Sequence, residues 1–541
     1  MSTIPQEKKD FGNRFFSGVA ILAFSTFIVK IIGLFYKIPM MSFLGAEGMG
    51  YFNSAYEIYS IFFVISTTGI PVAISILISE NATRNRINNI KRIYRISLTI
   101  LTSIGFVCTL LMGIFHREMA TIINNTSAAY SILAIAPAVL MICISSAIRG
   151  YFQGHQIMMP TAVSQIIEAL GKLLLGLCFA FIAIRKGCSI PEVTAYAILG
   201  LSLGVALSLL YLILYKLFHK IRFDKSIQNL YIEEKRVITK QILSIALPIT
   251  VSSTILSLTK LIDMTMILGR LNAIGYTQAQ ANTVYGAYST MAVSIYNLPS
   301  TIISSIALPL VPLLASAIEY GDKTKEREVV SIAFKITGLI ALPTGLGMAV
   351  FSKQILGLIF TSQGNEIQYT APLLSILGMS VFMSAMITVT NAILHAYKEV
   401  KKPIISMIIG TAIKFILSFI LIGYQNINIF GAPISTLVSS TSIVCFNIYF
   451  IAKKTGKLRS IHTLFGKLFL CTALSMTSGL LLYSILNQLI TEKTLIITTI
   501  LIVTFIYFIL VFLLRAISEN EILLIPNGRK IIQLLNKIHF I

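Results

Sequence analysis

Residues 494–514 read TLIITTILIVTFIYFILVFLL, a run of 21 residues without a charge. An α-helix rises about 1.5 Å per residue, so a run of this length crosses the roughly 30 Å hydrocarbon core of a bilayer. The sequence therefore predicts a membrane-spanning helix here, and similar runs recur along the chain.

The composition extends this interpretation to the whole chain. Of 541 residues, 56% are hydrophobic and only 12% are charged, whereas a soluble protein carries roughly 25% charged residues. Lys and Arg exceed Asp and Glu by 43 to 21, a formal net charge of +22. On so apolar a chain this excess favours membrane lipids over nucleic acid as the partner. The six cysteines show no CxxC or Cys/His ligand spacing, so we expect neither a disulfide framework nor a metal site.

Fourteen apolar runs predict an all-α polytopic membrane protein with about 14 transmembrane helices. The polar N-terminus, MSTIPQEKKDFGNR, leads into a run without a small-residue cleavage site, which we interpret as the first span and not as a signal peptide. Lys and Arg concentrate in the N-terminus, the even-numbered connections and the C-terminal tail, so we predict that both termini are cytoplasmic. The predicted spans are 15–38, 53–78, 96–115, 130–150, 161–184, 193–218, 241–268, 286–317, 331–356, 371–396, 404–424, 431–452, 463–489 and 494–514.

An internal repeat organises these spans. Lys30 in IVKIIGLFYK can be aligned with Lys260 in LTKLIDMTMI, and IIEALGK, which ends at Lys172, with IIGTAIK, which ends at Lys414. Each half has six spans, so the repeats are parallel and we expect two lobes around a central cavity. The predicted domains are an N-lobe (1–218), a cytoplasmic inter-lobe linker (219–240), a C-lobe (241–452), and a final segment (453–541) with two C-terminal helices and a cytoplasmic tail.

Ionisable side chains inside the membrane are the candidate functional residues, because each costs several kcal/mol unless it faces a cavity or a partner. Nothing at i±3 or i±4 in its own helix neutralises Lys30. The predicted substrate-binding residues are Lys30, Lys37, Lys172, Lys260 and Lys414, and the predicted coupling or gating residues are Glu57, Glu168 and Asp263.

Some of these residues also have a purely structural interpretation. Glu168 lies four residues before Lys172, and Lys260 lies three before Asp263, so each pair can form an ion pair on one helix face. Lys37 and Lys335 lie near helix ends, where a lysine can extend to the headgroups. Mid-membrane prolines can interrupt helices beside a transport path, but prolines are also common in membrane helices.

Catalytic motifs are missing from the sequence. It contains no HExxH, GxSxG or GxxxxGK[ST] motif and no dinucleotide fingerprint. We therefore expect a protein that is not an enzyme and has no catalytic residues, with no cofactor beyond a coupling cation such as Na⁺ or H⁺.

Three segments carry a family resemblance: IVKIIGLFYKIPMMSFLGAEGMGYFNSAY (28–56), RGYFQGHQIMMPTAVSQIIEALGKL (149–173) and LTKLIDMTMILGRL (258–271). The chain resembles the stage V sporulation protein B group of polysaccharide-biosynthesis membrane proteins, in the multidrug/oligosaccharidyl-lipid/polysaccharide flippase superfamily. The resemblance implies two six-helix lobes, two extra C-terminal helices and alternating access. It places Lys30 and Gly33 at the family's span-1 basic residue and glycine, and residues 45–48 at its turn, while Tyr36 and Lys37 replace a basic/acidic pair of the lipid II flippases.

The resemblance implies a flippase in the bacterial cytoplasmic membrane that carries an undecaprenyl-pyrophosphate-linked cell-wall precursor, similar to lipid II or bearing another sugar, to the outer leaflet. Its expected partners are that lipid-linked glycan, membrane lipids and cell-wall synthesis enzymes. A cation-coupled multidrug exporter is the first alternative, although such a cavity should favour acidic over basic residues. A non-transporting scaffold for envelope-synthesis enzymes is the second.

Overall fold

The computed structural model describes residues 6–219, 232–399, 401–456, 461–487 and 491–516. Short 3₁₀ turns lie at Thr126–Ala128 and Asn428–Phe430, and a π-helical turn at Tyr288–Ala292. The helices of these residues are α1 (Gln6–Thr67), α2 (Gly69–Thr83), α3 (Ile87–Ile114), α4 (His116–Ile122), α5 (Ala129–Gly154), α6 (Met159–Arg185), α7 (Ile190–Phe218), α8 (Lys235–Ala273), α9 (Gln278–Ala287), α10 (Val293–Glu319), α11 (Lys323–Val350), α12 (Ser352–Ile359), α13 (Gly364–Ala396), α14 (Lys401–Ile422), α15 (Gly431–Thr455), α16 (Ile461–Leu486) and α17 (Glu492–Leu513).

Twelve helices of the described residues are long and apolar enough to cross a membrane, compared with the predicted fourteen. The predicted span 15–38 falls on α1, and the predicted span 53–78 falls on the end of α1 and the start of α2. The stretch Phe24–Thr83 that holds both counts once. The predicted span 286–317 falls on α9, the π-helical turn and α10, and many of the α10 side chains lie outside the described residues. The all-helical polytopic class is confirmed, and the count differs at these two places.

The long helix α1 reverses direction at Gly45. This residue has φ 65° and ψ −179°, a conformation open to glycine and costly for other residues. On a straight helix Tyr36 and Phe52 would be about 24 Å apart, yet their ring centroids are separated by 5.9 Å. The two predicted spans are therefore the two limbs of a helical hairpin, called here limb 1 (before Gly45) and limb 2 (after it), with the turn where the family resemblance placed it.

Contacts divide the chain into two compact units, Met1–Thr290 (unit 1) and Met291–Ile541 (unit 2). Unit 1 includes α8 and α9 because both pack against α1, and α8 also packs against α2. The predicted division into six-helix lobes stays a prediction, since most of the linker 219–240 and the tail 517–541 lie outside the described residues.

Glycines set the closest helix packing in unit 1. A Cβ on Gly171 would come within 2.6 Å of the Gly204 backbone, and one on Gly200 would collide with the Gly176 backbone. These glycines hold α6 and α7 in backbone contact, as small residues do between membrane helices. In unit 2, α11 packs against α13 and α16.

The prolines of the membrane helices interrupt few of them. Pro137, Pro248 and Pro343 lie inside the continuous helices α5, α8 and α11. Pro71 lies near the start of α2, just after the break at Thr68. Of these four prolines, only Pro71 therefore lies beside a break in a helix, the kind of break that the sequence suggested for a transport path.

Candidate functional site

Two of the predicted lysines lie on neighbouring helices of unit 1 and interact electrostatically. Lys30 on limb 1 and Lys260 on α8 both have exposed side chains, α1 packs against α8, and the two charges lie close enough to interact. Two cations this close repel each other, and an anion between them would relieve that repulsion. Lys30 and Lys260 thus form a cationic pair suited to a negatively charged group.

The second predicted group surrounds Lys37. Its charge interacts with those of Glu57 on limb 2, Lys260 and Lys172. Glu57 also accepts a 3.2 Å hydrogen bond from Ser60 Oγ. The reversal at Gly45 brings Lys37 and Glu57 together although twenty residues separate them. Lys37, interpreted from sequence as near a helix end, is partly buried in this group.

Asp263 belongs to the same region. Tyr285 on α9 is 3% exposed, and its ring interacts electrostatically with both Glu57 and Asp263. The two carboxylates expected to serve in coupling thus lie around one buried tyrosine.

Glu168 has a partner that the sequence did not reveal. Arg149 Nη2 on α5 forms a 2.9 Å ion pair with Glu168 Oε2. The guanidinium also donates to Ser164 Oγ and Ser208 Oγ, each at 3.0 Å. Glu168 thus forms its ion pair with Arg149, while its charge still interacts with that of Lys172, the helical partner considered from the sequence. Arg149 is the single charged residue of the predicted span 130–150, and this was the feature of the sequence that could have indicated a buried partner.

Lys172 lies instead over aromatic rings of both limbs of α1. Its Nζ is 4.4 Å from the ring centroid of Tyr56, 5.0 Å from that of Tyr36 and 5.6 Å from that of Phe52. These distances are within the range of cation–π attraction. We call Lys172 and these three rings the aromatic cage.

Lys414 lies in unit 2 and is 6% exposed. On the same face of α14, Gly410 packs against Ser439 and Ser418 hydrogen-bonds to Ser435, both on α15. Lys414 is thus on the helix face packed against α15, unlike Lys172, with which the repeat aligned it.

A polar seam joins limb 2 to α9 within unit 1. Asn125 and Asn282 exchange side-chain amide hydrogen bonds at 2.7 and 3.2 Å. A Cβ on Gly286 would collide with the Ala46 carbonyl oxygen, so the two backbones touch. Sequence reasoning missed this seam because asparagine, serine and glycine carry no charge signal. Its polar members are Asn53, Ser54, Asn125, Asn282, Ser289 and Thr290.

Unit 2 contains an apolar cavity of about 520 Å³ between α11, α12, α16 and α17. Its polar lining is sparse, and the hydroxyl of Tyr507 is turned to the Leu339 carbonyl oxygen at 2.9 Å. Such a cavity suits a hydrocarbon chain. The lining residues are Leu339, Ile340, Pro343, Thr344, Gly347, Met348, Phe351, Ile355, Met476, Ile500, Val503, Thr504, Tyr507 and Phe508.

Comparison with known families decides the class of this protein. The family model described as polysaccharide biosynthesis protein matches residues 15–318, more than half of the chain. The chain belongs to the polysaccharide biosynthesis protein family. A second model, MatE, matches residues 248–420 of this family member. It is therefore a multi-pass membrane transporter of the multidrug/oligosaccharidyl-lipid/polysaccharide superfamily and not an enzyme, as the sequence predicted.

Two relatives and one solved structure show which members of the superfamily this chain is similar to. It is 28% identical over 449 residues to stage V sporulation protein B of Bacillus subtilis (strain 168), covering 81% of this chain and 84% of that protein. It is 22% identical over 454 residues to lipid II flippase MurJ of the same organism, covering 81% and 82%. A solved structure of lipid II flippase MurJ in an inward closed conformation has the same fold, with a TM-score of 0.69 at 16% identity, covering 92% of this chain and 98% of that one.

Proposed function

We propose that this transporter carries an undecaprenyl-pyrophosphate-linked glycan from the inner to the outer leaflet of the bacterial cytoplasmic membrane. The observation that carries the proposal is the excess of positive charge in unit 1. The cluster consists of Lys30, Lys37, Lys172 and Lys260 with Glu57 and Asp263.

Four lysines against two carboxylates leave two positive charges that a substrate can neutralise. A pyrophosphate diester carries about two negative charges, one for each of Lys30 and Lys260, and each mid-membrane charge left alone would cost several kcal/mol. Lys30 and Lys260 are the proposed pyrophosphate contacts. The role of Lys414 stays a prediction.

The lipid part of such a substrate needs an apolar environment. The bilayer provides one, and the cavity within unit 2, considered by itself, has a lining that suits an isoprenoid chain, whose burial would gain roughly 25 cal/mol per Å². The relative named lipid II flippase supports the same class of cargo.

Alternating access is the proposed mechanism, and Glu57 and Asp263 are its proposed cation-coupling residues. Glu168 is neutralised by Arg149 in this structure, which makes it a weaker candidate for coupling. The polar seam between limb 2 and α9 is the proposed closed gate on the outer side. The membrane potential would then drive the empty, positively charged site back toward the cytoplasm.

Binding to purified protein in lipid nanodiscs tests the proposal. The ligands are undecaprenyl pyrophosphate, lipid II and a cationic dye, and the variants are Lys30→Ala and Lys30→Arg. Lys186→Ala is the matched control, because Lys186 is exposed just after α6. We expect Lys30→Ala to weaken both pyrophosphate lipids more than tenfold and Lys30→Arg to weaken them less, since the charge is kept.

The MatE match favours a cation-coupled multidrug exporter as the second candidate. Preferential dye binding that is indifferent to Lys30 would replace the flippase proposal with this one. No binding of any ligand, together with a loss-of-function phenotype that Lys30→Ala rescues in cells, would favour the envelope-synthesis scaffold.

A further inference from the structure

The basic side chains of unit 1 extend beyond the length of one pyrophosphate. Lys30 and Lys37 are seven residues apart on limb 1, about 10 Å along the helix axis. Lys260 interacts with both Lys30 and Lys37, whereas Lys172 lies beside Tyr36 and interacts with Lys37. A pyrophosphate held by Lys30 and Lys260 therefore leaves Lys172 for another group.

The surroundings of Lys172 supply too little negative charge. The carboxylate one helical turn away, Glu168, attracts Lys172 but forms its ion pair with Arg149. Attraction by the three cage rings, about 2 kcal/mol or more each when desolvated, offsets the several kcal/mol that a charge costs inside a membrane protein, but it supplies no anionic counterion. An anion beside Lys172 would supply the missing compensation.

Two buried tyrosine hydroxyls are available near the aromatic cage. Tyr36 belongs to the cage, and Tyr59 packs beside Tyr56 and interacts electrostatically with Glu168 and Arg149. The hydroxyls of Tyr36 and Tyr59 belong to side chains only 1% and 3% exposed, and neither has a hydrogen-bond partner among the described residues. The Tyr59 and Tyr56 rings are 5.8 Å apart. Lys172 and Tyr56 are partly exposed, so a ligand has access from their side.

We propose that Lys172 and the tyrosines around it form a second anion subsite, which binds an acidic group on the glycan of the transported lipid. This proposal rests on the proposed flippase function and adds that the substrate belongs to the acidic glycans. The cage rings hold the ammonium in place by attraction to their π faces, and the buried hydroxyls of Tyr36 and Tyr59 donate hydrogen bonds to the acid.

The test measures binding of three probes to the full-length protein in nanodiscs. They are undecaprenyl pyrophosphate, the same lipid carrying N-acetylglucosamine, and the same lipid carrying N-acetylglucosaminuronic acid. The two sugars differ only by a carboxylate in place of a hydroxymethyl group. The variants are Lys172→Met, which keeps the length of the side chain, Lys172→Arg, which keeps the charge, and the surface control Lys186→Met.

We expect the wild type to bind the acidic probe about tenfold tighter than the neutral one. Lys172→Met should abolish this preference, so that it weakens the acidic probe about tenfold more than it weakens undecaprenyl pyrophosphate, while Lys172→Arg and Lys186→Met keep the preference. Equal binding of both sugars by the wild type overturns the second subsite and leaves the flippase proposal intact. An equal loss for all three probes in Lys172→Met would assign Lys172 to the pyrophosphate instead. Failure of every pyrophosphate lipid to bind the wild type contradicts the flippase proposal itself.

Discussion

Arg149 and Glu168 form a 2.9 Å ion pair between α5 and α6, although Lys172 is placed one turn from Glu168 on its own helix. The arginine side chain is 7% exposed, and two serine hydroxyls fix its guanidinium. A buried charge pair of this kind is costly to break from either side, because the remaining partner is left without compensation.

Breaking this pair should have unequal effects. Arg149→Met leaves Glu168, which Lys172 can then neutralise from the next turn. Glu168→Gln leaves Arg149 and Lys172 as two cations without a carboxylate between them. We therefore expect Glu168→Gln to lower the free energy of unfolding by about 3–5 kcal/mol and Arg149→Met by less. Chemical denaturation of the purified proteins in detergent measures both values.

The double variant Arg149→Met/Glu168→Gln is the control for this prediction. It removes both charges, so it should be more stable than Glu168→Gln alone. Equal losses for the two single variants would show that Lys172 does not reach Glu168 from the aromatic cage.

The seam between limb 2 and α9 predicts a steric effect at Gly286. In Gly286→Ala the new Cβ would collide with the Ala46 carbonyl oxygen and would meet the Gly50 nitrogen at 2.6 Å. Both are backbone atoms, so no rotamer change relieves the clash. We expect a loss of about 1–3 kcal/mol or more in unfolding free energy and slower transport, because the seam no longer closes.

Gly113→Ala is the matched control for the seam, since a Cβ there meets nothing within 4 Å and Gly113 also lies inside a helix, α3. This variant should be as stable as the wild type, or slightly more so. Wild-type stability and transport in Gly286→Ala would contradict both the close packing and the gate.

The sequence predicts the helices of this protein well and their partners poorly. Apolar runs locate nearly every span, because the bilayer requires a fixed length of apolar helix. The turn at residues 45–48 was also found, through the family resemblance. The π-helical turn Tyr288–Ala292 was missed, because it falls inside an apolar stretch that gives no boundary signal.

The candidate site divides in the same way. Intramembrane lysines stand out in the sequence, and the structure brings Lys30 near Lys260 and Lys37 near Glu57. The sequence offered Lys172 as a partner of Glu168, and the two charges interact, but the ion pair with Arg149 was missed, because a helix rule sees only residues three or four apart. Arg149 is nineteen positions away and reaches Glu168 through the packing of α5 and α6. Lys172 likewise depends on rings that the reversal at Gly45 brings together.

The apolar cavity of unit 2 provides a place where a substitution should block binding of a lipid chain. A Cβ on Gly347 meets only Met476 Cε, at 3.7 Å, and the residue lines the cavity. Gly347→Phe should therefore fold and fill part of the cavity. We expect it to weaken binding of undecaprenyl pyrophosphate about tenfold while leaving a water-soluble pyrophosphate sugar unaffected. Competition binding in detergent gives both affinities.

Gly357→Phe provides the comparison for the cavity. Gly357 lies on α12, a Cβ there would meet nothing within 4 Å, and the residue does not line the cavity. This variant should bind both ligands as the wild type does. An equal loss for the lipid and the soluble sugar in Gly347→Phe would show that the substitution disturbs the headgroup site and not a lipid site.

The end of α5 predicts a pH effect on stability. Burial lowers the pKa of His155 from 6.5 to about 4, and its ring packs at 4.8 Å against Tyr151. The folded protein thus binds the proton more weakly than the unfolded chain, so stability is complete above pH 6.5 and falls as the pH drops toward 4. At pH 5 the loss should approach about 2 kcal/mol.

His155→Leu should reduce this loss, whereas His219→Leu, at an exposed histidine just after α7, should retain it. Unfolding midpoints of the three proteins at pH 5 and pH 7.5 make the comparison. A wild type as stable at pH 5 as at pH 7.5, relative to His155→Leu, would contradict the burial of a neutral His155.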